Sequence, residues 1–217
     1  MANEPVQRST AVKSTQTVQK VRSFVKKIYS RAHEAKQNGQ PVAYCMTVCQ
    51  YDEILPAMGI VPIWTENYAG LCSAKRAGDP FILKAESDGF SNLICGYART
   101  GLGYDALRQQ MGVEIPGAPD GGMAKPDMLL GCSYACDPRY KWYQAIEGRY
   151  MDVPIYSHDV IIPPIDANLK EVFPYYVKYQ TEQLAKLVSF LETTTKRKMD
   201  WERLAEILDV SDRTYNL

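Results

Sequence analysis

The chain has 217 residues, of which 46% are hydrophobic and 23% charged, values typical of a folded globular protein. Lys+Arg and Asp+Glu are balanced at 25 each, so the overall charge does not favour binding to nucleic acid or to an anionic membrane. The longest apolar runs fall short of the ~20 residues that a bilayer span needs, and the first residues lack the apolar segment of a secretory signal. We therefore expect a cytoplasmic protein with reduced thiols.

The first half of the chain alternates between helical and extended patterns. Residues 1–16 are polar and predicted to be a disordered tail. Apolar residues at helical spacing predict a helix from Thr17 to Asn38, ending at Gly39. The β-rich run "PVAYCMTV", the helical segment "YDEILPAMG" and the strand "IVPIW" follow. Strand, helix and strand in this order indicate a βαβ unit with a parallel sheet.

The second half continues this alternation and then becomes helical. "NLICGYARTGLGYDALRQQMG" predicts a helix with a glycine-interrupted start, and "PDMLLG" a third strand. "PRYKWYQAIEGRY" predicts a helix with Asp137 as N-cap and Pro138 as its first residue, and "VPIYSHD" a fourth strand. After the turn "IIPPIDAN", two helices are predicted, "LKEVFPYYVKYQTEQLAKLVSFLETTT" and "MDWERLAEILDV", the latter with Asp200 as N-cap.

These elements predict the fold class and the domain organisation. The fold class is α/β, a flavodoxin-like parallel sheet flanked by helices, with a helical N-terminal arm and a helical C-terminal segment. The α/β domain, which includes the N-terminal helix, is expected over residues 17–165. Residues 166–217 are expected to be a helical segment that leads toward a second domain missing from this sequence.

The cysteines are the residues most able to carry chemistry. There are six, at Cys45, Cys49, Cys72, Cys95, Cys132 and Cys136. The sequence has no C-x-x-C pair, which argues against thioredoxin chemistry and most structural zinc motifs. Two C-x₃-C pairs, Cys45/Cys49 and Cys132/Cys136, leave a four-thiolate zinc site as an alternative.

The predicted elements divide the cysteines into two groups. Ligands of open parallel sheets bind beyond the carboxyl ends of the strands. Cys49 is predicted to follow the first strand there, and Cys132 and Cys136 the third. Cys95 lies near a helix start, where a thiol ionises easily and can bind metal. The remaining two, Cys45 and Cys72, are predicted to be small core residues.

Other familiar catalytic patterns are missing from the sequence. There is no G-x-x-x-x-G-K-[ST] motif and no G-x-G-x-x-G motif after a strand, so no nucleotide cradle is predicted. The two histidines, His33 and His158, do not suggest a catalytic triad. Among the carboxylates, Glu53 opens the short helix after the first strand, and it is either a catalytic group at the mouth or a charge favoured by the helix dipole.

Three stretches, "YDEILPAMGIVPIW", "ICGYARTGLG" and "PDMLLGCSYACDPRYKWYQ", resemble in order and spacing the first half of the 2-hydroxyacyl-CoA dehydratase and benzoyl-CoA reductase family. The first matches the family at Glu53, Ile54, Ala57, Gly59 and Pro62, and the second at Cys95, Tyr97 and Arg99. The second family cysteine is matched by Cys136 rather than Cys132. The resemblance covers about residues 40–215.

The resemblance implies a cofactor and a set of site residues. Family subunits hold a [4Fe–4S] cluster with three cysteines and act on an acyl-CoA thioester. Cys95 and Cys136 are the implied ligands. A second domain supplies the third ligand in the family, so either this chain is a portion of a longer subunit or that ligand comes from elsewhere, with Cys132 or Cys49 as substitutes. Glu53 is the candidate catalytic carboxylate and Arg99 a candidate substrate-binding residue.

The resemblance also implies an activity and partners. The leading hypothesis is a benzoyl-CoA reductase subunit, inactive alone, that passes single low-potential electrons to the thioester as a ketyl radical. The alternatives are a 2-hydroxyacyl-CoA dehydratase subunit, a non-catalytic assembly module and a zinc-binding domain. The expected partners are a homologous cluster-binding subunit, an ATP-dependent activator iron–sulfur protein and the acyl-CoA substrate. Tyr175, Tyr176 and Tyr179 are expected to face another domain or subunit.

Overall fold

A parallel sheet of four strands forms the centre of the computed structural model, which describes residues 16–47, 49, 51–134 and 136–216. The strands are β1 (Val42–Cys45), β2 (Val61–Trp64), β3 (Met128–Cys132) and β4 (Ile155–His158). Their order is β2-β1-β3-β4, and every neighbouring pair is parallel. This order matches the start of a flavodoxin-like sheet, so the predicted fold class is confirmed.

The two central strands are buried along their whole length. Every residue of β1 and of β3 is buried, as expected for a parallel sheet covered by helices on both faces. Two strands are shorter than the apolar runs that predicted them. Strand β1 ends at Cys45, before the end of "PVAYCMTV", and β4 begins at Ile155, after the start of "VPIYSHD". The predicted disordered tail lies outside the described residues, apart from Gln16.

Eight helices flank the sheet in the described part of the chain. They are α1 (Gln16–Gln37), α2 (Ile54–Ala57), α3 (Thr65–Ala74), α4 (Asp79–Ser87), α5 (Gly96–Met111), α6 (Asp137–Arg149), α7 (Leu169–Thr195) and α8 (Trp201–Tyr215). Six of them were predicted from the sequence. The sequence analysis made no prediction for α3 and α4, which fill the connection between β2 and α5.

Two of the predicted helix ends are confirmed and one is corrected. Gly39, just beyond α1, has φ +68°, the left-handed conformation in which glycine stops a helix. The Asp200 side chain accepts a hydrogen bond from the backbone N–H of Arg203 at 2.8 Å, so Asp200 is the N-cap of α8. Asp137 was predicted as the N-cap of α6, but Cys136 is the N-cap and Asp137 is the first helical residue, because extended backbone ends at Cys136.

Helix α5 packs closely against α4 and α6. The Trp142 ring of α6 lies against the backbone at Gly101, and the Phe81 carbonyl of α4 lies against the backbone at Gly103. A Cβ atom at either glycine would overlap these atoms. The glycines of "GYARTGLGY", which interrupt the helical pattern in the sequence, are therefore needed for close helix packing.

The C-terminal helices contact the sheet domain. On α7, the Phe190 ring packs on Tyr156 of β4 at 5.4 Å between ring centroids, and the Gln183 carbonyl accepts from the Tyr156 hydroxyl at 2.9 Å. On α8, the Ser211 hydroxyl donates to Glu53 at 2.7 Å. None of the described helices is both long and apolar enough to span a bilayer.

Candidate functional site

The carboxyl ends of β1 and β3 form the edge where the predicted site residues gather. The two strands are direct neighbours, with Cys45 opposite Leu130. Cys132 is the last residue of β3 and lies opposite His158, the last residue of β4. Cys132 was predicted to lie in the loop after the strand. In the structure, β3 extends one residue further and includes Cys132, whose side chain is fully buried.

Cys49 and Cys132 are in direct contact at this edge. The Cys49 thiol donates to the Cys132 sulfur, and the two Sγ atoms are 2.9 Å apart. Cys49 is 7% exposed and Cys132 is 0% exposed. The two residues are 83 positions apart in the sequence, so the tertiary structure brings these thiols together.

Arg139, in the first turn of α6, connects the segments that leave β1 and β3. Its guanidinium donates to the Thr47 carbonyl, and to the Tyr134 carbonyl at 3.0 Å. It forms an ion pair with Glu66 at 3.1 Å and lies 3.7 Å from the Cys49 sulfur. Arg139 is only 5% exposed, and these partners replace much of the water that its charge loses on burial, although its Nε has no partner among the described residues.

Glu66 anchors the same segment from the opposite side. One carboxylate oxygen accepts from the backbone N–H of Thr47 at 2.9 Å and from the Thr47 hydroxyl at 2.6 Å. Glu66 lies in the first turn of α3, where a negative charge is favoured by the helix dipole. Glu66 and Arg139 together therefore hold the chain that leads from β1 to Cys49.

The contact between the two thiols shifts their pKa values in opposite directions. The hydrogen bond from Cys49, helped by the Arg139 guanidinium, lowers the pKa of Cys132 below its ordinary value against the opposing effect of burial. The same hydrogen bond, together with burial, raises the pKa of Cys49 far above its ordinary value. The pair therefore holds one negative charge more easily than two.

Cys95 and Cys136 are in a different environment from this buried pair. Both are exposed and free, and each is the N-cap residue of a long helix, α5 for Cys95 and α6 for Cys136. No side-chain cap hydrogen bond is present at either helix start. Both sulfurs are therefore accessible to a metal, and a cysteine sulfur is a common metal ligand.

The two helices that begin at these cysteines run side by side in the same direction. Gly101 of α5 contacts Trp142 of α6, and each lies six positions beyond the cysteine of its own helix. Near the other end, the Gln109 side chain donates to the Arg149 carbonyl at 3.0 Å.

The donor atoms available for a metal are fewer than a complete site needs. In the described part of the chain, no group of three or more His, Cys, Asp and Glu side chains is arranged to hold a metal ion. The four cysteines of the C-x₃-C pairs all lie in that part, so they do not form the four-thiolate zinc site considered above. Thiolate is the ligand type of iron–sulfur clusters, and the two exposed thiols fit such a group as part of its ligand set.

The remaining predicted site residues are engaged in contacts within the chain. Glu53 is the N-cap residue of α2 and accepts the hydrogen bond from Ser211. Arg99 of α5 forms an ion pair with Glu86 of α4 and donates to the Ile94 carbonyl at 3.2 Å. Both side chains are half-buried. Their roles in catalysis and substrate binding stay predictions.

His158 and Tyr51 complete the buried wall of this edge. His158 is fully buried, its Nε2 lies 3.1 Å from Gln180 of α7, and its Nδ1 has no hydrogen-bond partner. The Tyr51 hydroxyl donates to the Leu130 carbonyl at 2.7 Å. Burial lowers the pKa of His158, so it is neutral in the core and does not provide a positive charge to the thiols.

Sequence reasoning did not identify Arg139, Glu66 and Thr47 as parts of the site. Arg139 was visible only as one basic residue inside an aromatic helix. Glu66 lies in α3, a helix that was not predicted. The available signal was the position of each charge in the first turn of a helix that begins at the carboxyl edge of the sheet.

Comparisons with known proteins extend this picture. The family model of 2-hydroxyglutaryl-CoA dehydratase, D-component, matches residues 47–217. The chain is 28% identical to the (R)-phenyllactyl-CoA dehydratase alpha subunit of Clostridium sporogenes, over 95% of this chain and 47% of that protein. It is 29% identical to the (R)-2-hydroxyisocaproyl-CoA dehydratase alpha subunit of Clostridioides difficile, over 84% of this chain and 41% of that protein.

A third relative is also the alpha subunit of a 2-hydroxyacyl-CoA dehydratase. The (R)-2-hydroxyglutaryl-CoA dehydratase alpha subunit of Acidaminococcus fermentans is 24% identical over 91% of this chain and 54% of that protein. The chain therefore spans about half the length of the curated relatives that it matches. The relatives are dehydratase subunits, so they support the dehydratase alternative rather than the benzoyl-CoA reductase hypothesis that the sequence analysis preferred.

Proposed function

Because the chain belongs to the 2-hydroxyglutaryl-CoA dehydratase D-component family, we propose that it forms part of a subunit that dehydrates a 2-hydroxyacyl-CoA thioester. The observation that supports this function best is the family match over residues 47–217, which includes Cys95 and Cys136 at the starts of two neighbouring helices. The reductase hypothesis is replaced, since the similar proteins are named for dehydration.

We propose that Cys95 and Cys136 are two ligands of a [4Fe–4S] cluster. The parallel orientation of α5 and α6 supports this proposal, because it places both cysteines at the same end of the helix pair. When bound, the cluster supplies single electrons at low potential to the thioester. The remaining ligands come from outside the described residues of this chain.

The other residues of the edge support these two ligands. Arg139 and Glu66 hold the segment that precedes Cys49, and Arg139 also fixes the Tyr134 carbonyl, two positions before Cys136. The buried rings of α6, Trp142 and Tyr143, close the sheet side of the helix against water. Water exclusion matters because the potential of a cluster depends on burial and on hydrogen bonds to its sulfurs.

The roles proposed for Glu53 and Arg99 follow from the residues that hold them. Ser211 holds the Glu53 carboxylate at the start of α2, where it remains the candidate catalytic group. Glu86 pairs with Arg99, so contact with a substrate requires Arg99 to exchange this partner. A homologous subunit, an ATP-dependent activator and the acyl-CoA are the proposed partners.

Anaerobic reconstitution with iron and sulfide tests the ligand assignment. We expect the complete subunit that contains this chain to bind iron and sulfide with an EPR signal after reduction, and its Cys95→Ser and Cys136→Ser variants to lose most of both. Cys72→Ser is the control, because Cys72 is a buried residue of α3 that is not a proposed ligand, and this variant should bind iron and sulfide as the unaltered protein does. Zinc bound in place of iron would contradict the ligand assignment. The absence of any bound metal would support the non-catalytic assembly module.

A substrate panel tests the reaction class. The chain, its partner subunit and the activator would be assayed with ATP and reductant on 2-hydroxyacyl-CoA thioesters and on benzoyl-CoA. We expect loss of water from a 2-hydroxyacyl-CoA and no reduction of the aromatic ring. Ring reduction without dehydration would contradict the proposal.

A further inference from the structure

We propose that Cys49 and Cys132 are an oxidation site, and that a peroxide joins them in a reversible disulfide. This pair is distinct from Cys95 and Cys136, which are exposed. Nothing in the proposed dehydration uses the pair, so the inference does not depend on that function.

The distance between the two sulfurs is the first support. At 2.9 Å they are closer than two unbonded sulfur atoms normally lie, and a disulfide needs them about 0.9 Å closer still. Cys132 is fixed at the end of a central strand, whereas Cys49 lies in the segment between β1 and α2. The small approach can therefore come from the Cys49 side, with no change in the sheet.

The surroundings of the pair are the second support. The Arg139 guanidinium lies 3.7 Å from the Cys49 sulfur and stabilises negative charge on the pair. The lowered pKa of Cys132 agrees with this geometry. Reaction with a peroxide requires a thiolate, so the pair combines the reactive form with a second thiol at contact distance.

The chemistry balances with hydrogen peroxide as the oxidant. The Cys132 thiolate attacks one peroxide oxygen, the O–O bond breaks, hydroxide leaves, and Cys132 becomes a sulfenic acid. The Cys49 sulfur then attacks the Cys132 sulfur, the S–O bond breaks, and the oxygen leaves as water with the Cys49 proton. In total, two thiols are oxidised and one hydrogen peroxide is reduced to two waters.

The other two buried cysteines provide a contrast. The Cys45 thiol donates to the Ala43 carbonyl at 3.7 Å, and burial holds its pKa well above the ordinary value. Burial also raises the pKa of Cys72 to about 11. Neither thiol has a neighbour like the Cys49–Cys132 contact, so we expect both to stay reduced.

Thiol counting in a simplified background tests the inference. In the double variant Cys95→Ser/Cys136→Ser, the exposed thiols are absent and the four buried cysteines remain. The metal-free chain would be treated with hydrogen peroxide, quenched by alkylation after unfolding, and analysed by mass spectrometry. We expect the loss of two thiols per chain, a Cys49–Cys132 crosslink, and full recovery with dithiothreitol.

Further variants decide whether the right residues react. Adding Cys49→Ser to this background should prevent the loss of thiol pairs, whereas adding Cys72→Ser should leave it unchanged. Adding Cys132→Ser should also prevent the crosslink, and if circular dichroism shows that this variant is unfolded, Cys49→Ser decides alone. Retention of all four thiols, or a crosslink that survives Cys49→Ser, would overturn the inference.

Discussion

Two buried guanidinium groups dominate the polar chemistry of this molecule at the scale of single residues. Arg139 links the segments at the carboxyl edge of the sheet. Arg108 lies within α5, where it pairs with Asp105 at 2.6 Å and donates to the Tyr44 hydroxyl and the Met123 carbonyl, both at 3.0 Å. Both are held by several partners at once, which suits the guanidinium group because it presents five N–H donors in a fixed plane, whereas a Lys ammonium group has three.

Asp105 should make stability depend on pH. Burial raises the pKa of Asp105 to about 6, although Arg108 opposes the shift. The folded chain then holds a proton that the unfolded chain has already released, so the free energy of unfolding falls as pH rises from about 4 to about 6, by as much as about 3 kcal/mol. We expect Asp105→Asn to remove this contribution, as measured by urea unfolding across that pH range.

A surface carboxylate provides the control for this measurement. Asp209 on α8 is well exposed and pairs only with Arg213, so Asp209→Asn should leave the pH profile nearly unchanged. If the free energy of unfolding of Asp105→Asn changes with pH as steeply as that of the unaltered chain, Asp105 is not the source of the pH dependence.

At the scale of helices and strands, the packing of α5 determines where the two exposed cysteines lie. Gly101 and Gly103 let α5 approach α6 and α4 closely, and Cys95 is the residue immediately before this helix. The position of α5 against α6 therefore sets the distance between the two helix starts. The site depends on small residues that carry no chemistry themselves.

Gly101→Ala should destabilise the chain. The added methyl group overlaps the Trp142 ring, and overpacking of this kind costs about 1–3 kcal/mol in the free energy of unfolding. Gly148→Ala on α6 is the matched control, since nothing lies within 4 Å of its added methyl group. It should be neutral or stabilising by about 0.5–1 kcal/mol because alanine favours a helix.

Iron binding gives a second measurement on the same variant. If α5 positions Cys95, Gly101→Ala should also reduce iron uptake, whereas Gly148→Ala should not. A destabilised Gly101→Ala that takes up as much iron as Gly148→Ala would show that the packing of α5 does not control the proposed ligand site.

On the scale of the whole molecule, α7 carries apolar side chains that the described residues leave exposed. Phe173 and Tyr175 are 65% and 64% exposed. Of the three tyrosines expected to face another domain or subunit, Tyr175 is exposed and Tyr176 is half-buried. Tyr179 is half-buried and donates to Asp159 at 2.5 Å, so this side chain contributes to the contact of α7 with the sheet domain.

We propose that the exposed face around Tyr175 contacts the homologous partner subunit. Tyr175→Ala should then weaken association by about tenfold in Kd, typical of removing an aromatic side chain from an interface. Trp201→Ala on α8 is a matched control, because Trp201 is also 64% exposed. Analytical ultracentrifugation with the partner measures both, and equal affinities for Tyr175→Ala and the unaltered chain would exclude this face.

The sequence by itself determined the features that depend on neighbouring residues. Short buried runs identified all four strands, helical periodicity identified α7, and Gly39 and Asp200 marked helix ends, because each of these signals is local. The family was also visible in the order of three motifs, and the comparison with residues 47–217 confirmed it. The choice between reductase and dehydratase was not visible, since the two share the same ligand residues.

Only the tertiary structure decided which side chains meet. Cys49 and Cys132 lie 83 positions apart, and Arg139 contacts the Thr47 carbonyl 92 positions away. Such contacts arise because parallel strands bring their carboxyl ends to one edge after long crossover connections, and no local pattern records which loops then touch. For the same reason, Arg139 and Glu66 could not be recognised as site residues before the sheet order was known.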